Sequence, residues 1–115
     1  MKKKDIIKSS EEYTEIIKNS KYKKNDYFII YFRKKIEENN RFGISVPKKT
    51  AKAVYRNKIK RQIKDIIDKN KNYIHSEYDY VIIIRKRLIE LNYKEMEINF
   101  INLIKKIGEN NEKKH

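Results

Sequence analysis

The sequence predicts an α+β fold, a single-domain sandwich of helices against a small sheet. Three observations lead to this prediction. Segments with apolar residues at helical spacing alternate with dense β-branched or aromatic runs. The length of 115 residues suits one domain, and an apolar content of 38% allows one modest core. We therefore expect one domain over residues 1–115, with charged, frayed tails at 1–8 and 109–115.

The amino-terminal half predicts one helix and two strands. Ser9 and Glu12 have the spacing of a capping box, and Tyr13 begins an apolar stripe that should end near Ser20. The β-branched and aromatic run at 27–32 predicts a strand that is covered on both faces. Apolar residues alternate with small ones at 42–46, which predicts a half-buried strand ended by a proline. We expect these two strands to form a hairpin.

The second half predicts a helix, a strand and a helix. The long helix should run from Thr50, the expected N-cap, to about Asn70, because the segment lacks Gly and Pro. The run at 80–84 predicts a buried central strand. Asn92 and Glu95 form a second capping box, and Gly108 should directly follow the last helix. The two helices have apolar stripes at Tyr55, Ile59, Ile63, Ile66 and Ile67, and at Met96, Phe100, Leu103, Ile104 and Ile107.

Composition excludes several classes of function. The longest apolar run, 27–32, is six residues long, whereas a membrane span needs roughly 18. The chain contains no cysteine, which excludes disulfides, thiol nucleophiles and cysteine-rich zinc sites. Its two histidines, His75 and His115, are far apart in sequence. We therefore expect a cytoplasmic protein with no membrane attachment, no small-molecule substrate, no metal site of its own and no catalytic side chain.

The positive charge is concentrated in one segment of the chain. Lys and Arg exceed Asp and Glu by 30 to 16, a net charge of +14. Between Glu38 and Asp65 there is no acidic residue, although that segment holds nine basic ones. A solvated helix face usually interleaves Glu with Lys, and that pairing is absent from this segment. The pattern indicates a polyanion such as the phosphate backbone of a nucleic acid. The basic residues are Arg41, Lys48, Lys49, Lys52, Arg56, Lys58, Lys60, Arg61 and Lys64.

The aromatic content favours unpaired bases as the target. Nine Tyr and four Phe, several on predicted strands, allow stacking of single-stranded RNA or DNA. Phe28, Ile30 and Phe32 should be core residues. The alternate face of the same strand can either pack in the core or face a ligand; its members are Tyr27, Ile29, Tyr31 and Arg33.

Two consecutive segments carry a specific family resemblance. Residues 41–49 read Arg-Phe-Gly-Ile-Ser-Val-Pro-Lys-Lys, and residues 53–64 read Ala-Val-Tyr-Arg-Asn-Lys-Ile-Lys-Arg-Gln-Ile-Lys. This resembles the signature of the bacterial ribonuclease P protein subunit, a strand with a serine shortly before a Lys-Lys pair, followed by an Arg-Asn helix. Lys58 and Lys64 stand where the family typically has Arg, which keeps the charge but loses bidentate phosphate geometry. The order of the other predicted elements also fits, so the resemblance covers nearly the whole chain.

The resemblance implies an RNA-based endonuclease that removes the 5′ leader of precursor tRNA. A catalytic RNA subunit would hold the Mg²⁺ ions, and the protein would raise substrate affinity and lower the Mg²⁺ requirement. The resemblance also implies an additional strand pairing and a left-handed βαβ crossover in a mixed sheet. A cleft between the sheet and the first helix, lined by Tyr13, Ile17 and Tyr31, would bind the single-stranded leader, although Ile17 replaces a common aromatic. The catalytic RNA would contact Lys48, Lys49, Lys52, Arg56, Asn57, Lys58, Lys60, Arg61 and Lys64.

Two other functions remain open at the level of sequence. Charge and aromatic content fit a ribosome-associated or general RNA-binding protein equally well. A self-sufficient ribonuclease would need His75 together with Glu77 or Asp79, but a single histidine near acids is more often a solvated loop residue.

Overall fold

The computed structural model of the chain describes residues 1–108, which form an α+β fold of three helices and one four-stranded sheet. The predicted tail at 109–115 lies outside the described residues. The tail predicted at 1–8 is wrong, because Ile6 pairs with Phe42 and Ile7 is only 2% exposed. The elements are α1 (Ser10–Asn19), β1 (Lys21–Lys24), β2 (Phe28–Lys34), β3 (Phe42–Ser45), α2 (Ala53–Lys69), β4 (Tyr78–Ile84) and α3 (Tyr93–Ile104), with short 3-10 turns at Lys3–Asp5, Lys71–Tyr73 and Lys86–Glu90.

The strand order is β1-β2-β4-β3, which corrects the predicted hairpin. β2 pairs antiparallel with β1 and with β4, whereas β3 pairs parallel with β4. β4 is buried along almost its whole length, so it takes the centre and separates β2 from β3. α2 connects the parallel pair β3 and β4, as the resemblance implied. The left hand of this crossover stays a prediction.

One face of the sheet packs against α2 and α3 and forms the main core. The stripe of α3 is buried as predicted, and Asn92 and Glu95 make both hydrogen bonds of the capping box. The prediction for α2 was wrong at its start. The helix begins at Ala53, and Thr50 instead closes a turn by donating its N–H to the Pro47 carbonyl. Tyr55 lies outside the stripe and is 42% exposed; the buried members are Ile59, Ile63, Ile66 and Ile67.

Two further boundaries follow from backbone geometry. α3 ends at Ile104, four residues before Gly108, and the backbone N–H groups of the next residues bond carbonyls three or four positions back. Gly108 has a φ of +92° and ends this segment.

No helix among residues 1–108 is both long and apolar enough to cross a membrane.

The other sheet face carries α1, which is attached through a buried group of charges. Asp79 is fully buried on β4 and accepts a hydrogen bond from the Arg41 backbone N–H at 2.9 Å. The guanidinium groups of Arg33 and Arg41 both lie 3.5 Å from its Oδ2. Glu12 of α1 accepts hydrogen bonds from the same two arginines. We call these four residues the arginine network.

The arginine network changes the role of Glu12. Ser9 caps α1 as predicted, accepting the Glu12 N–H at 3.3 Å. The Glu12 carboxylate does not return to Ser9 to complete the box; it binds Arg33 and Arg41. The hydrogen bond from Arg41 lowers the pKa of the Glu12 carboxyl below its ordinary value of 4.5, against the opposing effect of desolvation. Glu12 therefore stabilises the folded state only while it is ionised.

The first expectation concerns acid stability. A depressed folded-state pKa gives stability that is present above the unfolded pKa and lost as pH falls through the folded pKa. We expect Glu12→Gln to lower the free energy of unfolding at pH 7 by about 1.5–3 kcal/mol, the size of a hydrogen bond to a charged group. We also expect it to flatten the decline in stability below pH 4.5. Urea titrations between pH 7 and 3 measure both effects, with the exposed neighbour Glu11→Gln as the control. Equal acid slopes in all three proteins would contradict this account.

Candidate nucleic-acid interface

The first candidate surface combines the turn after β3 with the outward side of α2. Every residue that the resemblance implied for RNA contact lies there, and none of them is buried. Arg56, Lys60 and Lys64 are half-buried, and the others are exposed. We call this set the cationic surface: Lys48, Lys49, Lys52, Arg56, Asn57, Lys58, Lys60, Arg61 and Lys64.

The charge of the cationic surface is not compensated within the protein. Among residues 1–108, none of its Lys or Arg side chains pairs with a carboxylate within 4.0 Å. Within the described residues, Arg56 Nη1 donates to the Ala51 carbonyl at 2.7 Å, and Lys58 Nζ lies 5.9 Å from the centroid of the Tyr55 ring. The first turn of α2 has no acidic residue, and its N-cap Lys52 offers no side-chain acceptor. The partial positive charge of the helix start therefore adds to the side chains, which favours phosphate.

The second candidate surface is a groove between α1 and the sheet face opposite the main core. The strand register places two rows of side chains across its floor. The isoleucines at the centre of the second row, Ile29 and Ile83, are only half-buried, so the described residues leave apolar floor open. The first row is Tyr22, Tyr31, Val81 and Gly43, and the second is Lys24, Ile29, Ile83 and Ser45. We call this surface the groove.

Tyr13 of α1 forms one wall of the groove by lying directly on Gly43. A Cβ atom at Gly43 would be 2.6 Å from both Cζ and the hydroxyl oxygen of Tyr13. Glycine is needed at this position for space. Burial raises the pKa of the Tyr13 hydroxyl above its ordinary value of 10.0, so the ring is neutral at physiological pH and does not repel a phosphate.

The other two predicted groove residues are also in place. Ile17 lies one turn beyond Tyr13 on the same flank of α1 and is 37% exposed. Tyr31 is half-buried and packs against Ile7, Ile16 and Val81. Its ring therefore contributes to a small core and still leaves part of its surface in the groove.

The groove and the cationic surface meet at Tyr13. A cavity of about 160 Å³ is lined by Tyr13, by Ile44 of β3, and by Lys60 and Lys64 of α2. The arrangement sets an apolar, aromatic floor beside unpaired ammonium groups, which suits bases and phosphates respectively.

Sequence reasoning missed one residue of the groove, Tyr22 on β1. Its ring is 50% exposed and lies 5.3 Å, between centroids, from the ring of Tyr31. The strand itself was missed because Lys21–Lys24 reads as a polar linker. The available signal was a single tyrosine inside a lysine run that directly precedes an apolar strand.

Of the two acids named in the alternative nuclease hypothesis, the structure places Glu77 beside His75 and binds Asp79 to arginines. Asp79 is bound to Arg33 and Arg41, and His75 instead lies 3.6 Å from Glu77. Within the described range, no cluster of three or more His, Asp or Glu side chains is placed to hold a metal ion.

Comparisons with known proteins match the chain along its whole described length. The Ribonuclease P family model matches residues 1–108. The ribonuclease P protein component of Mycoplasma mycoides is 43% identical over 108 residues, covering 93% of this chain and 99% of that protein. The solved RNase P protein of Thermotoga maritima superimposes with a TM-score of 0.79 at 34% identity, covering 86% of this chain and 94% of that one.

A second solved structure gives the same result. The RNase P protein of Staphylococcus aureus aligns with a TM-score of 0.82 at 28% identity and covers 90% of this chain and 95% of that one. The sequence matches and the structural superpositions agree. The chain belongs to the ribonuclease P protein family.

Proposed function

We propose that this chain is the protein subunit of a ribonucleoprotein ribonuclease P that removes the 5′ leader of precursor tRNA, with catalysis carried by the RNA subunit. Family membership supports a role in tRNA processing. The observation that carries the finer proposal is the junction at Tyr13 between an unpaired cationic surface and an apolar, aromatic groove.

The cationic surface is assigned to the catalytic RNA. Its Lys and Arg side chains release counterions from a phosphate backbone, and this gain is sequence-independent. Four of its members are lysines on α2 or at its N-cap, including Lys58 and Lys64 at positions where arginine was expected. Lysine binds phosphate as a point charge, so these contacts tolerate variation in the RNA geometry.

The groove is assigned to the single-stranded leader. Tyr13 and Tyr31 offer ring surface on which bases stack without sequence preference, and Ile17 offers apolar contact only. Since mature tRNA lacks a leader, groove contacts raise affinity for the precursor and leave the product free to dissociate. This difference directs the enzyme toward its substrate.

The Mg²⁺ ions are assigned mainly to the RNA subunit. The described part of the protein has no carboxylate cluster that fits a Mg²⁺ ion. Its contribution is electrostatic, because ammonium groups beside the RNA replace part of the cation atmosphere that the phosphates require. The protein thereby lowers the Mg²⁺ concentration at which the complex is active.

Reconstitution tests this function directly. We expect the protein to stimulate cleavage of a precursor tRNA by a bacterial ribonuclease P RNA at low Mg²⁺, and to add little at high Mg²⁺. The measurement is the single-turnover cleavage rate with and without protein. A general RNA-binding protein would bind mature and precursor tRNA alike in the presence of the catalytic RNA. That result would overturn the proposal, as would cleavage by the protein without any RNA subunit.

A second expectation separates charge from folding on α2. Arg61 is exposed and has no partner within residues 1–108, so Arg61→Ala should leave the melting temperature unchanged. We expect weaker binding to the catalytic RNA and a salt dependence flatter by about one unit of log–log slope, the value for one lost phosphate contact. Lys94→Ala on α3 is the matched control, since Lys94 is an exposed cation away from the cationic surface. If the affinity of both variants for the catalytic RNA depended equally on salt, α2 would not be part of the RNA interface.

A third expectation tests the groove. Tyr31→Ala and Tyr13→Ala should each weaken precursor binding by about 1–3 kcal/mol, the contribution of a stacked base, without changing affinity for mature tRNA. The single-turnover rate at saturating enzyme should hold, because the ring contacts the leader equally in the ground state and the transition state.

Tyr31→Phe is the control for this groove test, because it keeps the ring that packs on Val81. Melting temperatures identify loss of core packing. Equal loss of affinity for both tRNAs, or a large fall in saturating rate with the fold intact, would contradict the assignment of the leader to the groove.

A further inference from the structure

Tyr22 exposes a large ring on an edge strand, although one side of the ring packs against Tyr31. Half of its surface is open, and among residues 1–108 β1 pairs only with β2. The adjacent lysines of β1 do not pair with any carboxylate in the described part of the chain. Edge lysines prevent pairing with other strands, which accounts for Lys21, Lys23 and Lys24. That device does not account for an exposed tyrosine among them.

The register makes Tyr22 the outer end of the first floor row of the groove. Tyr22 lies opposite Tyr31, Tyr31 opposite Val81, and Val81 opposite Gly43, on which Tyr13 rests. Three strand spacings of about 4.8 Å separate the two ends of this row, about 14 Å in all. Stacked nucleotides advance about 3.4 Å each, so the row accommodates several of them.

The geometry of the two rings decides where a base can bind. The Tyr22 and Tyr31 centroids are 5.3 Å apart with an angle of 49° between the planes. This separation is within the contact range of aromatic pairs, about 4.5–7 Å, so no base fits between the rings. Tyr31 therefore supports Tyr22 from one side, and the outward face of Tyr22 is the one open to a base. Lys24, two residues along β1, lies on the same sheet face as Tyr22 and is placed to meet a phosphate.

The direction of the leader follows from the junction of the two surfaces. Tyr13 shares a cavity with Lys60 and Lys64, which belong to the surface assigned to the catalytic RNA. On the proposed function that RNA holds the scissile bond, so leader nucleotides close to the bond lie at the Tyr13 end of the row. Nucleotides farther upstream reach the β1 edge.

We propose that Tyr22 is a base-stacking residue that binds a leader nucleotide farther from the cleavage site than those at Tyr13 and Tyr31. The inference rests on the proposed function and deepens it by assigning an additional site on β1. This site gives the enzyme a preference for longer leaders. Its ligand is an unpaired base of any identity, since stacking on a ring is tolerant of sequence.

The test uses the reconstituted holoenzyme and precursor tRNAs whose leaders are lengthened one nucleotide at a time. With long leaders, we expect Tyr22→Ala to weaken binding about fivefold or more, equivalent to about 1 kcal/mol or more of stacking. With short leaders the variant should bind like the wild type, while Tyr31→Ala is already impaired. Tyr22→Phe should bind normally. Tyr73→Ala is the matched control, because Tyr73 is 45% exposed, has Lys105 over its ring and lies outside the groove.

The outcomes distinguish this proposal from the function on which it rests. If Tyr22→Ala matches Tyr73→Ala at every leader length while Tyr31→Ala remains selective for the precursor, the β1 site is wrong and the function stands. If Tyr22→Ala loses affinity equally for mature tRNA, the residue is structural and the β1 site is again wrong. If neither Tyr22→Ala nor Tyr31→Ala depends on the leader, both the site and the leader assignment fail. Melting temperatures of all variants exclude loss of folding as the cause.

Discussion

The placement of α1 depends on one buried carboxylate, that of Asp79. It lies at the start of the central strand and holds the Arg41 backbone and two guanidinium groups. Those arginines in turn bind Glu12 and so attach the first helix to the sheet. A buried charge without partners is strongly destabilising, so the members of the arginine network require one another. With Glu12 held on one flank of α1, Tyr13 and Ile17 are directed to the other flank, which forms the wall of the groove.

The arginine network also explains how the protein distributes its charge. Arg41 belongs to the basic run of the sequence, yet its side chain is neutralised internally by Glu12 and Asp79. The cations of the cationic surface have no such partners among the described residues. A lysine- and arginine-rich segment therefore contains two populations, one that is paired inside the fold and one that has no acidic partner among the described residues. Sequence position alone does not separate them; the strand or helix on which each residue lies does.

The sequence predicts this molecule best where local chemistry decides the outcome. The α3 capping box, the buried stripe of α3 and the central position of β4 depend on residue spacing and apolar content, and all three are confirmed. Pairing between distant strands is decided by competition, so the expected hairpin failed when β4 proved the better partner for both β2 and β3. The sequence did not predict β1, because three of its four residues are lysines. Its strand conformation comes from pairing with β2.

The candidate functional residues divide in the same way, into those that local sequence predicts and those that depend on contacts between distant segments. Eight of the nine residues of the cationic surface lie in the acid-free basic run that charge alone identifies, and Asn57 was added by the family resemblance. The three predicted groove residues, Tyr13, Ile17 and Tyr31, came from the family resemblance, since α1 and β2 form the groove only through sheet register and the contact of Tyr13 with Gly43. Tyr22 was missed because its place in the groove depends on its pairing with Tyr31, which the sequence does not reveal.

The two glycines of the chain illustrate two separate kinds of constraint on sequence change. Gly108 has a left-handed backbone, so nearly any replacement strains the main chain wherever its side chain would go. Gly43 lies on a β-strand, and a methyl group there would collide with the far end of the Tyr13 side chain. That ring lies at the edge of the groove and can swing away, so the fold survives while the wall is lost. On the proposed assignment of the leader to the groove, a library of variants sorted for folding alone would retain changes at position 43 that a library sorted for tRNA maturation would eliminate.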